Sequence, residues 1–189
     1  INYFLYPKLL FTHPQYITLN AGEALLIPKN WWHWVKTPEK TFAINFWADG
    51  ISDSPKKIKH DLKIDFEPIM DLVVTIWKSN EKVIQNQYYK DSIRNFLKNK
   101  NENEYIITLE NYTAIKINNL LIKDVLKNQI KPPQIIKDKK LEYDYNIWIC
   151  SKYNDTGLHY DDNDGILCVL EGSKEIILYP PRDYNNLYP

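Results

Sequence analysis

The chain has 189 residues, long enough for one domain with a buried core, and its 24 Lys+Arg balance 24 Asp+Glu. That neutrality removes a global field for nucleic acid or an anionic membrane and leaves only local patches. No apolar run approaches the ~20 residues that span a bilayer, and no signal peptide is visible, so a cytoplasmic or nuclear, non-secreted protein is expected.

Residues 1 to about 50 read as strands. Tyr16 to Leu19 is one, and Glu23 to Ile27 follows a turn at Asn20-Ala21-Gly22. Trp31 to Val35 and Thr41 to Trp47, separated by Thr37-Pro38-Glu39-Lys40, have the look of a hairpin. Six Trp and fourteen Tyr suit a β-rich core with aromatic walls. From about 52 the character changes. Ser52 to His60 is polar and basic and reads as a solvated loop. Phe66 to Trp77 and Val83 to Leu97 carry apolar residues at helical spacing, and Leu120 to Leu126 is amphipathic before the stop at Lys131-Pro132-Pro133. From about 145 strands return at Asn146 to Cys150, Gly165 to Leu170 and Lys174 to Tyr179. Cys150 and Cys168 lie in these apolar runs and read as reduced, buried thiols. The fold expected is α+β: a β-structure built from both chain ends, with a helical segment between them.

Four histidines are available, His13, His33, His60 and His159. In a strand, residues two apart share a face, so His159 and Asp161 would aim an imidazole and a carboxylate at one point. Two histidines and one carboxylate on one side of an ion suit non-haem Fe(II) chemistry. Against that, His-x-Asp is a common pair, and Asp161-Asp162-Asn163-Asp164-Gly165 also reads as an acidic surface turn. His33 falls on a strand face with Trp31 and Val35, as a third ligand or as a core histidine satisfied locally. His13 and His60 lie in loops and read as solvent-exposed. Lys174 and Asn45 interrupt apolar strands, and if they face inward each needs a partner. Thr156 is a further donor near the pair.

Two long stretches carry a resemblance. One runs from Trp148 through Thr156-Gly157-Leu158-His159-Tyr160-Asp161, Gly172-Ser173-Lys174 and Leu178-Tyr179-Pro180-Pro181 to Leu187-Tyr188-Pro189. The other comprises Ala21 to Pro28, Trp31-Trp32-His33 and Ile44-Asn45-Phe46-Trp47. Together they resemble the JmjC/cupin-like Fe(II)- and 2-oxoglutarate-dependent oxygenases, nearest in look to the asparaginyl hydroxylases. The resemblance implies a double-stranded β-helix, with His159, Asp161 and His33 as iron ligands. It further implies Lys174 and Thr156 holding the far carboxylate of 2-oxoglutarate, and Asn45 beside it. Gly157 stands where proline is common, and Gly165 where asparagine is frequent.

The order of the two stretches is reversed relative to that family. Residues 1–50 match the C-terminal half of such a barrel and 141–189 the N-terminal half, joined by the helical segment 51–140. A circular permutant, a window across two tandem domains, or halves completed between two chains would each account for it. Ile1 in place of Met and the abrupt end at Pro189 favour the window. The implied activity is a dioxygenase hydroxylating a protein or peptide side chain. The alternatives are a non-catalytic cupin-like binding module or an incomplete piece of a tandem protein. A homodimer or a tandem sister domain is the expected assembly partner, with neither membrane nor nucleic acid indicated.

Overall fold

A computed structural model describes residues 7–78, 87–108 and 119–187. It is mostly β, with two antiparallel sheets and a few short helices. The strands are β1 (Gln15–Asn20), β2 (Glu23–Ile27), β3 (Trp32–Thr37), β4 (Thr41–Ala48), β5 (Lys56–Lys59) and β6 (Val73–Lys78). They continue with β7 (Gln87–Ser92), β8 (Glu104–Ile107), β9 (Asp144–Cys150), β10 (Asn154–His159), β11 (Asp164–Glu171) and β12 (Ser173–Tyr179). The helices are α1 (Ile93–Asn99), α2 (Leu120–Leu126) and α3 (Gln134–Lys139). One sheet runs β1-β12-β3-β10 and the other β5-β2-β11-β4-β9-β8-β6-β7.

Strands from the two ends of the chain therefore interleave. β12 lies between β1 and β3, and β11 between β2 and β4. The turn joining β11 to β12 depends on Gly172, whose φ is 77°. A Cβ there would collide with the Lys40 carbonyl, so only glycine lets this turn pass the β3–β4 connection.

Two apolar clusters explain the strand sequences. Leu19, Leu25, Ile27, Val35, Leu167, Ile176 and Leu178 fill the space between the two sheets. Leu26, Phe42, Ile44, Phe46, Ile147, Ile149 and Ile166 point to the other face of the eight-stranded sheet. There they meet Phe96 of α1, Ile122 and Leu126 of α2 and Ile136 of α3. With both faces covered, β2 and β4 read as continuous apolar runs rather than as alternation.

The central segment departs from the helical expectation. Phe66 to Trp77 holds a short 3-10 turn at Glu67–Ile69 and then strand β6. Val74, Thr75, Ile76 and Trp77 are all buried, so both faces of this strand are covered and its period of two is hidden. Within Val83 to Leu97, β7 ends at Ser92, whose hydroxyl accepts from the Asn95 backbone N–H and starts α1. Val83 and Ile84 lie outside the described residues, as do Tyr188 and Pro189. The Ser52 to His60 loop contains β5, paired to β2. Leu120 to Leu126 is a helix as expected, and α3 begins directly after Pro133. The expected hairpin of Trp31–Val35 with Thr41–Trp47 does not form, because β3 and β4 belong to different sheets. Both cysteines are free and buried. Among the described residues, no helix is long and apolar enough to cross a membrane.

Candidate metal centre

His33 and His159 are direct cross-strand neighbours in the β3–β10 pairing, with ring centroids 4.2 Å apart. Each ring is turned by its own backbone. His33 Nδ1 lies 2.9 Å from the Trp31 carbonyl, and His159 Nδ1 lies 3.0 Å from the Gly157 carbonyl. A carbonyl only accepts, so both rings carry their proton on Nδ1 and present an Nε2 lone pair. Asp161, two residues past His159 and just beyond the strand, brings Oδ2 to 3.7 Å from His33 Nε2. One ligand atom from each of the three lies within 4.8 Å of the others. Among the described residues this is the one group of three such side chains.

The protonation state suits a ligand. Burial pushes His33 down to about 4, and repulsion from His159 acts the same way. The hydrogen bond to Trp31 and the charge of Asp161 oppose them. Its imidazole is therefore neutral near neutral pH, the form that coordinates a metal. Asp161 is held from two sides. Trp47 Nε1–H donates to its Oδ2 at 3.3 Å, and the Asn30 N–H donates to its backbone carbonyl at 3.0 Å.

β10 aims His159 through a bulge. Thr156 and Gly157 together oppose Val35, and Gly157 adopts a φ of 71°. This is a left-handed conformation that a proline ring, fixed near −65°, cannot reach. The Gly157 N–H donates to Asp155 Oδ1 at 2.8 Å while its carbonyl orients His159. Glycine in place of proline is thus what this bulge requires.

The three residues open on a cavity of about 90 Å³. Ile27, Val35, Trp148 and Leu167 give it apolar walls, and Asn45, Trp47, Thr156 and Lys174 give it polar ones. Lys174 is only 3% exposed, with Nζ donating to Thr37 Oγ1 at 2.8 Å. Burial pushes its ammonium well below the usual lysine range, with the nearby Cys150 thiol opposing. Among the described residues no carboxylate pairs with it, so the cavity holds a buried lysine amine without an anionic partner. Asn45 Oδ1 is also buried and without a partner, 3.7 Å from where a Cβ on Gly165 would stand. The Thr156 hydroxyl faces the cavity but exchanges 3.3 Å hydrogen bonds with the Val35 backbone.

All six residues singled out in the sequence, His33, Asn45, Thr156, His159, Asp161 and Lys174, therefore line one cavity. His13 stays outside it, paired with the buried Asp183. His60 is half-buried rather than solvent-exposed, donating from Nε2 to the Val169 carbonyl. The acidic turn is not wholly a surface feature either. Asp164 is buried and accepts from the Lys29 and Ile51 N–H groups at 2.8 and 2.7 Å. Sequence reasoning missed Trp47, although its place two residues after Asn45 puts it on the same strand face. It also missed Thr37 and the two backbone carbonyls that turn the histidines, for which no residue-type signal exists.

The family model described as a cupin-like domain matches residues 2–54 and 66–189. The chain belongs to the cupin-like domain family. This cupin-like chain is 30% identical over 95% of its length to a putative JmjC domain-containing protein, L887, of Acanthamoeba polyphaga mimivirus, covering 36% of that relative. JmjC domain-containing protein E of Dictyostelium discoideum is 28% identical over 82% of the chain, which covers 41% of it. Lysine-specific demethylase JMJ31 of Arabidopsis thaliana is 34% identical over 34% of the chain, or 12% of that protein. The chain thus spans well under half the length of these curated relatives. No solved structure matches it significantly.

Proposed function

We propose that the chain is an Fe(II)- and 2-oxoglutarate-dependent dioxygenase that hydroxylates a protein side chain. On this reading its barrel is a double-stranded β-helix closed by both chain ends in reversed order. The observation that carries it is the meeting of two features in one cavity. Two Nε2-presenting histidines and a carboxylate stand at one end, and the amine of Lys174, with no carboxylate partner among the described residues, stands in the same space. The donor set of two imidazoles and one carboxylate fits ferrous iron.

His33, His159 and Asp161 would hold the metal, and Lys174 the far carboxylate of 2-oxoglutarate. Bound there, the two would supply oxygen activation, splitting the co-substrate to succinate and carbon dioxide and delivering one oxygen atom to a substrate C–H bond. The protein's own share is orientation and exclusion of water. Trp47 donates to Asp161 Oδ2, the same oxygen that lies 3.7 Å from His33 Nε2, and so holds the carboxylate turned towards the two histidines. Lys174 offers three donors, one already spent on Thr37, and a carboxylate would satisfy the others. Asn45 presents a lone carbonyl oxygen to the same space, a site for a donor on co-substrate or substrate. Trp148, Ile27 and Leu167 keep the surroundings apolar, which strengthens each of these contacts.

Succinate formation from 2-oxoglutarate, measured with added Fe(II), tests the reading. It should appear with the unsubstituted chain and vanish in His159→Ala. Succinate that survives that change would sink the site assignment. A folded chain with no metal-dependent thermal shift would favour a non-catalytic binding module.

A further inference from the structure

A cavity larger than the metal site lies away from it, with a volume of about 620 Å³. One wall is the end of β5 and the stretch that follows it; the other is the linker from α2 to α3 and the start of α3. No residue of this groove lines the metal cavity.

Its charge is lopsided. Lys59, Lys63, Lys131 and Lys137 line it against a single carboxylate, Asp61. In a chain whose charges cancel, four lysines against one acid leave a local excess of three. Elsewhere Lys40, Lys57, Lys78, Lys123 and Lys152 each have a carboxylate partner. Among the described residues none of the four groove lysines has one. A solvated edge accounts for part of this, since β5 is the outermost strand and lysines guard such edges. It does not account for Lys131 and Lys137, which face β5 from the opposite wall.

The floor is apolar. Ile58, Leu62 and Ile135 are half-buried and packed on the core. His60 is fixed between the Val169 carbonyl and the Leu62 N–H, so this side of the groove is held in place.

We propose that this groove docks an acidic peptide segment carrying aliphatic side chains, at a site separate from the metal centre. Lysines on both rims match carboxylates, and the floor matches leucine or isoleucine side chains between them. Nucleic acid fits less well, because no arginine fork lines the groove to grip phosphate and no Phe, Tyr or Trp lines it to stack a base.

Fluorescence anisotropy with a fluorescein-labelled peptide of repeating Glu-Glu-Leu tests this on the whole metal-free chain. The expected result is saturable binding that weakens with salt. Lys131→Glu/Lys137→Glu should weaken it about tenfold. Lys59→Glu/Lys63→Glu should act likewise from the other wall, while Asp61→Asn should tighten it. Lys90→Glu/Lys98→Glu makes the same change in net charge outside the groove and should leave binding within about twofold. Circular dichroism checks that each variant is folded. Equal losses in the groove and control variants would overturn the proposal. So would non-saturable binding, or tighter binding of a labelled single-stranded DNA of equal charge.

Discussion

The two sheets meet at one cavity and contribute to it differently. The four-stranded sheet supplies the chemistry: His33 from β3, Thr156 and His159 from β10, and Lys174 from β12. The eight-stranded sheet supplies a wall: Ile27 from β2, Asn45 and Trp47 from β4, Trp148 from β9 and Leu167 from β11. The difference follows from burial. The larger sheet is covered on both faces, so its inward residues are chosen for packing, while β3 and β12 alternate buried with more exposed positions and β10 is partly exposed from its second residue on. Charged groups belong on the sheet that has somewhere wet to put the rest of its residues. A rigid apolar wall opposite then raises the worth of each polar contact in the cavity.

The contrast can be broken from the wall side first. Phe46 is fully buried on the far face of the eight-stranded sheet, against Tyr143 and Tyr145. Phe46→Ala should cost roughly 3–5 kcal/mol in urea unfolding, while the folded fraction keeps its metal affinity. A comparable loss of metal affinity in folded protein would deny the division.

Lys174→Met should do the reverse. Its folded amine titrates below its unfolded value, so the unfolded chain holds more protons in between, and that ionisation opposes folding as pH falls. The variant should be more stable than the original at neutral pH by about 1–2 kcal/mol, with the difference shrinking as pH rises towards the lysine range. Its thermal shift with 2-oxoglutarate should vanish. A variant that is less stable and still responds to the co-substrate would show that Lys174 does not face it.

Two smaller changes sharpen the roles of the supports. Trp47→Phe removes the indole donor to Asp161 and should weaken Mn(II) binding about tenfold, with little change in unfolding midpoint. Gly157→Ala meets no neighbouring atom but must adopt the positive φ, so it should cost about 1 kcal/mol. Calorimetric metal titration and thermal unfolding, respectively, measure these.

Much of the candidate site's grouping was legible because its side chains are types that seldom fall in apolar strands. His33, His159, Asp161 and Lys174 stand out as polar residues in or beside apolar strands. The strands at both ends were legible as well, since β-branched and aromatic runs are broken there by Gly, Pro and Asn. Pairing was not. Thr37-Pro38-Glu39-Lys40 looks like a hairpin turn, yet it carries the chain from one sheet to the other, and only the packing of β12 and β11 decides that. β6 misled because Val74 to Trp77 is buried on both faces, so no alternation marked it as a strand. The groups that orient the two histidine rings were illegible for another reason. The Trp31 and Gly157 carbonyls are backbone, and any residue type supplies one.

The central claim is that one chain closes one metal centre from its two ends. Anaerobic calorimetric titration of Fe(II) into the chain, with His33→Ala alongside, tests it most directly. One ion per chain is expected, with loss of that binding when His33, from the other end of the sequence to His159 and Asp161, is removed. Unchanged affinity in His33→Ala, or half an ion per chain, would contradict it.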